Sequence, residues 1–324
     1  MKINKCLLSF LLVTACMSCS ANNSLEVRVK VVDQNGLSVE GANVQVGFQS
    51  LGFGGSSAEG VTGKDGIYVA NGESNLQYWV LVKKDGYYGS RLDQKEVKER
   101  VAPGEWKIVD QDVTLILREI KNPIPMYARR KASVNVPAYD TPIGYDMEMG
   151  DWVKPYGEGI RNDLIFLLSG YFNNFRDKSV SLNLSFSNKG DGIITVNPIE
   201  ESCFKSPYEA PLENYKKEKK WKLFRKHTKG NHVQKTNESN DEQGKVYLVR
   251  VRTVLDENGN VREALYGKIL GGIIFEGNVG DGRYTSLNIG NSYLNPDVND
   301  RNLEYAVGRS LIDNLRKSET PRQP

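Results

Sequence analysis

The sequence predicts an all-β protein, with a small N-terminal β-sandwich and a larger β-rich C-terminal domain that has few short helices. Two observations predict this fold class. Apolar and polar residues alternate with a period of two over many short stretches, which is typical of strands with one buried and one solvated face. Turn-forming glycine, asparagine and aspartate residues separate these stretches about every ten residues, as in a β-sandwich.

The N-terminal strands follow one another closely. After the first of them, DQNG forms a turn in which Asn35 and Gly36 tolerate positive φ. The Gly/Ser-rich stretch SLGFGGSSAEG, residues 50–60, is predicted to be a loop, and it lacks the ending of a phosphate-binding loop. Alternation predicts strands over residues 25–31, 42–48, 61–69, 78–82 and 112–118.

The segments VVDQNGLSVEGANVQV, TGKDGIY and KKDGYY occur in this order within the same region. They resemble the carboxypeptidase regulatory-like domain, a small Ig/transthyretin-like sandwich found in bacterial surface proteins. The family's Gly-Ala step corresponds to Gly41-Ala42, and its Thr-x-x-x-Gly step begins at Thr62 and ends at Gly66. Ser38 stands near the position of the family's usual proline. The resemblance covers less than a third of the chain and implies a fold without catalytic residues.

A linker is predicted over residues 121–126, because two prolines within it favour extended backbone and stop a helix. Residues 25–120 then form the first domain and residues 127–324 the second. In the second domain, DENGN predicts a hairpin turn, and Gly271-Gly272 predicts a bulge or a sharp bend within a strand. Strands are predicted over residues 179–187, 245–253 and 261–275, and short helices over residues 160–168 and 309–316.

Four phrases of the second domain resemble uncharacterised secreted bacterial proteins of similar layout: GDWVKPYGEG, SPYEAP, TVLDENGNVREALYGKI and NPDVNDRNLEY. That resemblance implies an extracytoplasmic location and a two-part layout. It implies no activity.

The N-terminus has the layout of a bacterial lipoprotein signal over residues 1–15, with two lysines followed by an apolar run of ten residues. That run is too short to span a bilayer, which takes roughly 20 apolar residues. The segment VTAC resembles a lipobox, so Cys16 is the predicted lipidation site, and Cys19 is the alternative. Residues 16–24 would form a flexible tether, and the lipid would hold the protein at the bacterial cell envelope, at the outer membrane or cell surface.

Composition excludes several classes of protein. Hydrophobic residues make up 39% and charged residues 26% of the chain, as in ordinary globular proteins. The net charge of +3 loses two lysines with the signal, and a nearly neutral protein is not built for nucleic acid. The chain has four cysteines, of which one is removed with the signal and one is predicted to be acylated. The two that remain are too few for a disulfide framework, and Cys203 has no predicted role. No cofactor is predicted.

The densest polar and aromatic stretch, GYDMEMGDWVKPYGEGIRND, covers residues 144–163. Asp146 and Asp151 could be two of the carboxyl groups that flank a glycosidic bond, with Trp152 and Tyr156 as platforms for sugar rings. The alternative is a solvated acidic loop whose tryptophan packs against the sandwich. The ordered oxygen ligands of an EF-hand calcium loop are missing. Further acids of the stretch are Glu148, Glu158 and Asp163.

A basic and aromatic stretch lies within the predicted polar loop of residues 212–244. Residues 214–235 hold nine Lys or Arg and one acid, with Trp221 and Phe224 interleaved. This pattern predicts either a mobile hydrophilic insertion or a surface for anionic glycans or lipid headgroups. The only two histidines, His227 and His232, are five apart, which is a poor spacing for a metal site.

Three functions are compatible with these sequence features. The first is a non-catalytic binding or structural lipoprotein that recognises a glycan or an envelope protein. The second is a glycan hydrolase that uses acids of residues 146–163, which requires two carboxyl groups in one cleft, one of them with a raised pKa. The third is a surface assembly or fibre subunit, which requires an open sheet edge that accepts a strand.

We expect Cys16→Ser to abolish acylation and release the protein from membranes, because the thiol of Cys16 is the predicted attachment atom. Intact mass and membrane partitioning of the wild type, Cys16→Ser and Cys19→Ser measure this directly. A lipid mass that survives in Cys16→Ser and is lost in Cys19→Ser would move the site to the alternative cysteine. A soluble wild type without lipid mass would contradict the tether.

Overall fold

The computed structural model describes most of the chain beyond residue 23. The predicted lipidation sites Cys16 and Cys19 lie outside the described residues. Within the described part, the chain forms 23 strands and one four-residue helix, which confirms the all-β prediction. The described residues are 24–50, 54–102, 105–130, 132–174, 176–199, 201–227, 232–242, 244–277 and 285–324.

The first sandwich consists of two four-stranded sheets. Its strands are β1 (Ser24–Asp33), β2 (Asn43–Ser50), β3 (Gly54–Val61), β4 (Ile67–Glu73), β5 (Gln77–Lys83), β6 (Tyr87–Tyr88), β7 (Ser90–Glu96) and β10 (Gln111–Glu119), with a hairpin of β8 (Lys98–Ala102) and β9 (Glu105–Ile108). The sheet orders are β4-β1-β10-β6 and β3-β2-β5-β7. Strand β1 pairs parallel to β10 and antiparallel to β4.

Alternation along the central strands explains why these two sheets pack against each other. In β1, Val27, Val29 and Val31 are fully buried, while the residues between them are exposed. Val44 and Val46 of β2 meet them from the other sheet in the same core. Burying each such side chain stabilises the sandwich by about 1.5–3 kcal/mol before conformational entropy is counted.

The prediction of a loop over residues 50–60 is wrong for residues 54–60, which belong to β3. Strand β3 pairs with β2 along its whole length, from Ser50 opposite Gly54 to Asn43 opposite Val61. Its Gly/Ser composition carries no strand signal of its own. The pairing partner supplies the backbone hydrogen bonds that its side chains do not predict.

The second sandwich packs a six-stranded sheet against a seven-stranded sheet. Its elements are β11 (Ile124–Arg129), β12 (Ala132–Asn135), β13 (Ile143–Asp146), β14 (Asp151–Trp152), β15 (Leu164–Asn174), β16 (Asp177–Ser185), β17 (Gly192–Val196), β18 (Glu218–His227), β19 (Val233–Asn237), α1 (Glu238–Asp241), β20 (Val246–Leu255), β21 (Val261–Gly277), β22 (Thr285–Leu294) and β23 (Tyr305–Ser310). The six-stranded order is β14-β13-β15-β16-β18-β19. The seven-stranded order is β17-β20-β21-β22-β11-β23, with β12 beside β22.

The seven-stranded sheet is buried on both faces. In β20, Tyr247 and Val249 belong to the core between the two sheets. Val246 and Leu248, which point the opposite way, belong to a separate core on the far side. A sheet of this kind needs a cover on each face.

Two local predictions for β20 and β21 are confirmed. The turn between them closes with a hydrogen bond from the N–H of Asp256 to the carbonyl of Asn260, and Gly259 has a φ of +85°. At Gly271 and Gly272, with φ values of +93° and +79°, the register to β22 shifts. Such positive φ values favour glycine because a Cβ would clash with the backbone.

Both predicted helices are wrong. Residues 164–168 of the first lie in β15, where Leu164, Phe166 and Leu168 are buried with a period of two. A short apolar run such as LIFLL is compatible with a buried strand as well as with a helix. Pairing with neighbouring strands in the sheet makes it a strand in this protein. At the second site, β23 ends at Ser310 and the chain continues in turns.

The polar loop predicted over residues 212–244 is likewise replaced by structure. Its residues form β18, β19 and α1, and β18 and β19 form an antiparallel hairpin at the edge of the six-stranded sheet. Trp221 and Leu223 anchor β18 in the core. Two buried apolar side chains at alternate positions are enough to fix the register of a strand most of whose other residues are charged.

The two sandwiches are joined by a buried polar cluster. The guanidinium of Arg118, at the end of β10, donates from Nη1 to the carbonyl of Phe204 at 2.7 Å. The carboxylate of Glu304 accepts from the hydroxyl of Tyr88 at 2.8 Å and from the backbone N–H of Lys121 and Asn122 at 2.8 and 2.6 Å. These bonds connect the first sandwich, the linker and the second sandwich, and we call them the junction.

Lys268 of β21 lies beside the junction and is fully buried. Its Nζ donates to the hydroxyl of Ser206 at 3.1 Å and lies 4.8 Å from the ring centroid of Phe204 and 4.9 Å from that of Tyr293. Burial, together with the nearby charge of Arg118, lowers the pKa of this ammonium. The two aromatic faces supply part of the stabilisation that water would otherwise give.

Among the described residues, no helix has the length and apolar character needed to cross a membrane.

We expect Glu304→Ala to lower the free energy of unfolding by about 2–4 kcal/mol, because it leaves the backbone N–H groups of Lys121 and Asn122 and the hydroxyl of Tyr88 without their acceptor. Urea denaturation followed by circular dichroism measures this. Glu257→Ala, in the exposed turn after β20, is the matched control and should change stability by less than about 0.5 kcal/mol. Equal stability of the two variants would show that the junction contributes nothing.

Candidate functional site

Trp152, a predicted sugar platform, is a core residue. It is 4% exposed, and its Nε1 donates to the carbonyl of Asn135 at 3.2 Å. Its ring meets Tyr145 and Phe166 edge to face, with centroids 5.6 and 5.8 Å apart. Tyr156 is 42% exposed, so the two rings do not share a surface. The structure does not bring them together as a binding platform.

Asp146, a predicted catalytic or binding acid, holds its own loop together. One carboxylate oxygen, Oδ2, accepts from the backbone N–H of Ile160 and Arg161 at 2.9 and 3.0 Å. The other, Oδ1, accepts from the backbone N–H of Glu148 and Met149 at 3.0 and 3.2 Å. Four backbone donors saturate a carboxylate that is almost fully buried.

Asp151, the other predicted acid, makes a similar local contact. Its Oδ1 accepts from the N–H of Trp152 at 2.8 Å, and its Oδ2 accepts from the N–H of Glu158 at 3.0 Å. Both acids therefore hydrogen-bond to the backbone of residues 144–163 and shape this loop. The alternative of a solvated acidic loop is wrong for Asp146, which is buried.

Arg252 clamps this loop onto the seven-stranded sheet. Its Nε and Nη2 donate to the two carboxylate oxygens of Asp163 at 2.8 and 3.0 Å, and its Nη1 donates to Glu148 at 2.5 Å. Arg252 has a φ of +57° where the pairing of β20 with β21 breaks between Val251 and Val254. The bulge turns its side chain toward the loop, which sequence reasoning missed because the loop is some ninety residues away.

The protonation balance of this clamp follows from its burial. Burial raises the pKa of Asp163, and the hydrogen bonds and charge of Arg252 only partly oppose that rise. Burial alone would lower the pKa of Arg252, but Asp163 and Glu148 outweigh it, and the pKa of the guanidinium is raised. The ion pair is bidentate, and each member favours the charged form of the other.

A cleft of about 300 Å³ opens beside the clamp. Glu148 and Arg161, which reach it from the loop, lie 3.5 Å apart as an ion pair. Each carboxyl group of the loop at this cleft therefore faces a guanidinium. This arrangement differs from the two opposed, unpaired carboxyl groups that glycoside hydrolysis requires.

Trp221 and Phe224 lie on opposite faces of β18, because they are three residues apart in a strand with a period of two. Trp221 is buried, and its Nε1 donates to Glu242 at 2.7 Å. Glu242 also accepts from the ammonium of Lys219 at 2.7 Å and from the hydroxyl of Tyr247. Phe224 points to the outer side of the six-stranded sheet and is half-buried.

The outer side of the six-stranded sheet presents an aligned row of four residues across four strands. Tyr171 of β15 is opposite Ser179 of β16, which is opposite Phe224 of β18, which is opposite Thr236 of β19. Neighbouring strands lie about 4.8 Å apart, so the two aromatic residues are separated by about 10 Å. We call the outward residues of β15, β16, β18 and β19 the open face.

The open face is polar and basic around this row. The inward residues of β16 are fully buried, whereas its outward residues are only half-buried, which shows that this side is uncovered. Lys222 extends over Phe224, with Nζ 5.5 Å from the ring centroid. Asp177, at one end, accepts from the amide of Asn173 at 2.8 Å. The other outward residues of the central strands are Ser181, Asn183, Ser185, Glu218, Lys220 and Lys226.

Tyr171 is the member of this row that sequence reasoning missed. It has the same parity as Ile165 and Leu167, so it would have been placed on the outer side had residues 164–174 been assigned as a strand.

Neither histidine forms a metal centre in the described structure. Within the described ranges, no group of three or more His, Cys, Asp or Glu residues is arranged to hold a metal ion. The N–H of Cys203 donates to the carbonyl of Gly89 at 2.9 Å, and burial raises the pKa of its thiol, which makes the reactive thiolate scarcer.

Comparison with known proteins gives only distant likenesses. No family model matches the chain, and no curated protein matches it. Among solved structures, a "putative carbohydrate binding protein" from Bacteroides uniformis is similar at 10% identity and a TM-score of 0.21, over 85% of this chain and 98% of that one. A "putative membrane-associated protein of unknown function" from Bacteroides fragilis is similar at 11% identity and a TM-score of 0.19, over the same shares.

A third similar structure is 3-chlorocatechol 1,2-dioxygenase from Rhodococcus opacus, at 10% identity and a TM-score of 0.24. That match covers 32% of this chain and 62% of the dioxygenase chain. Likenesses of this size carry no argument about ligand or activity, so the function has to be inferred from the residues.

We expect Arg252→Gln to lower the free energy of unfolding at neutral pH by about 3–5 kcal/mol, because it leaves the buried carboxylate of Asp163 without its partner. The pKa of Asp163 is already raised, so the folded variant takes up a proton as the pH falls and the deficit shrinks. Urea denaturation at neutral and mildly acidic pH measures both effects. Arg262→Gln, on the exposed start of β21, is the control. A deficit that is independent of pH would contradict the assignment to Asp163.

Proposed function

We propose that this protein is an exported, lipid-anchored protein of the bacterial cell envelope that binds an anionic glycan without catalysis. The single observation that carries the proposal is the aligned row of Tyr171, Ser179, Phe224 and Thr236 on the open face. An uncovered sheet with two aromatic rings and several ammonium groups offers both contacts that an acidic sugar polymer needs.

The two kinds of contact have separate physical origins. The faces of Tyr171 and Phe224 offer flat apolar area to the C–H faces of sugar rings. Lys220, Lys222 and Lys226 attract carboxylate or sulfate groups along the chain, an attraction that salt weakens. The hydroxyls of the serine residues on β16 provide hydrogen bonds to sugar hydroxyls.

The hydrolase alternative has weaker support. Asp146 is saturated by backbone donors, and Asp163 and Glu148 are paired with arginine. A catalytic pair would need one carboxyl group free to give a proton and another free to attack or activate water. We therefore propose a binding protein rather than an enzyme.

The fibre-subunit alternative depends on the outer edge of the six-stranded sheet. The edge strand β19 is mostly exposed and therefore has an open side. It is only five residues long and carries Lys235, and short charged edges discourage strand addition. The first sandwich would serve as a spacer between the lipid at Cys16 and the open face.

We expect Tyr171→Ala and Phe224→Ala each to weaken binding of anionic polysaccharides by about tenfold or more, since each removes one aromatic contact. Calorimetric titration with polygalacturonate, alginate and chondroitin sulfate measures the affinity, and methyl-esterified polygalacturonate is the neutral comparison. Tyr156→Ala, an exposed aromatic away from the open face, is the matched control. Binding that is equal in all variants, or equal for the esterified polymer, would contradict the proposal.

A further inference from the structure

A second aromatic platform lies on the first sandwich. Trp79 of β5 is directly opposite Gly47 of β2, on the outer side of the sheet. A Cβ placed on Gly47 would lie 2.1 Å from Cε2 and 2.2 Å from Nε1 of the indole. The ring therefore lies over the bare backbone of β2, and only glycine at position 47 allows it.

The orientation of Trp79 follows from strand parity. Its neighbours Tyr78 and Val80 are buried in the core of the first sandwich, so Trp79 faces outward and is half-buried. The guanidinium carbon of Arg91 lies over the indole, 5.7 Å from the ring centroid, and the arginine side chain is 53% exposed. A ligand that stacks on the outward face of Trp79 must therefore displace this exposed guanidinium.

A cleft with polar and apolar lining lies on the same outer side. It includes the next outward pair along the strands, Gln45 and Leu81, and Trp79 is not one of its lining residues. The cleft of about 390 Å³ runs over β3, β2 and β5, lined by the side chains of Asn43, Gln45, Glu59 and Lys83. Gln45 is opposite Glu59 on one side and opposite Leu81 on the other, so these residues share the outer side with Trp79. The amide of Gln45 donates to Glu59 at 2.6 Å, which fixes both groups in place.

This combination fits a neutral sugar better than other ligands. The indole offers a flat apolar contact, and the carboxamide and carboxylate offer donors and acceptors for neighbouring hydroxyl groups. The charges of Glu59 and Lys83 oppose each other, so the cleft has no net preference for an ion. An aromatic ring can also cover a strand glycine for structural reasons alone, as Tyr68 covers Gly60 in this protein. Tyr68 is therefore the comparison for Trp79.

We propose that the outer side of β2, β3 and β5 is a second saccharide-binding site, which stacks a neutral pyranose on Trp79 and holds its hydroxyls through Gln45, Glu59 and Asn43. The site lies on the other sandwich from the open face and does not depend on it. Two different saccharide classes, one neutral and one anionic, are thus assigned to two different sheets.

The test uses an array of neutral gluco-, xylo-, manno-, galacto- and N-acetylchito-oligosaccharides with the full-length protein, followed by calorimetry on the oligosaccharide bound best. Trp79→Ala should weaken that binding about tenfold or more. Trp79→Phe should retain part of it. Gly47→Ala should weaken it as well, because the added methyl group displaces an indole that is still present.

Two controls separate this site from its alternatives. Tyr68→Ala removes another ring that covers a strand glycine and should leave saccharide binding unchanged. Phe224→Ala and Tyr171→Ala should leave neutral binding unchanged while they impair anionic binding, so either site can fail without the other. If Trp79→Ala does not fold, Gln45→Leu on the same outer side replaces it, and its saccharide binding is compared with that of the wild type. The inference is overturned if no neutral oligosaccharide binds, or if Trp79→Ala, Gly47→Ala or Gln45→Leu binds as tightly as the wild type.

Discussion

The seven-stranded sheet has apolar side chains on both faces, and the rest of the molecule is arranged to cover them. The six-stranded sheet covers one face through Phe166, Leu182 and Trp221. On the other face a second core gathers around Tyr266 and Leu303, next to the segment that contains Phe204 and to the end of the first sandwich. Leaving either face in water would expose more apolar surface than a stable monomer tolerates.

The junction covers part of this face with charged side chains. Burying a charge costs free energy unless hydrogen-bond or ion-pair partners surround it. Arg118 donates to main-chain carbonyls and lies 4.3 Å from the ring centroid of Phe204, and Glu304 accepts three hydrogen bonds. A purely apolar junction of the same shape could be equally stable. Directional bonds instead define one orientation of the two sandwiches, which an apolar contact would leave less specific.

Structural features that depend only on residues close together in the chain could be predicted from the sequence. The turn at Asp256–Asn260 and the bulge at Gly271 depend on local backbone preferences, and the strands with clean alternation depend on their own pattern. Strand β3 and the apolar run of β15 could not be assigned in this way, because pairing with distant strands decides their conformation. The same holds for side chains: only the register shows that Trp79 lies over Gly47.

The candidate sites show the same division between local and distant information. Spacing alone placed Trp221 and Phe224 in one patch, although strand parity puts them on opposite sides of a sheet. The acids near Trp152 looked free in sequence because Arg252, which neutralises two of them, comes from another part of the chain. The sequence shows which residues are charged, but only the folded structure shows which residues pair with them.

The junction also has a consequence for avidity. Because it fixes one sandwich relative to the other, two binding faces would stand at a constant separation and orientation. Once a polymer engaged one face, its next segments would be presented to the other at a high effective concentration, provided that the polymer could follow the path between them. Rigidity would then select polymers by their stiffness and curvature as well as by their sugar chemistry.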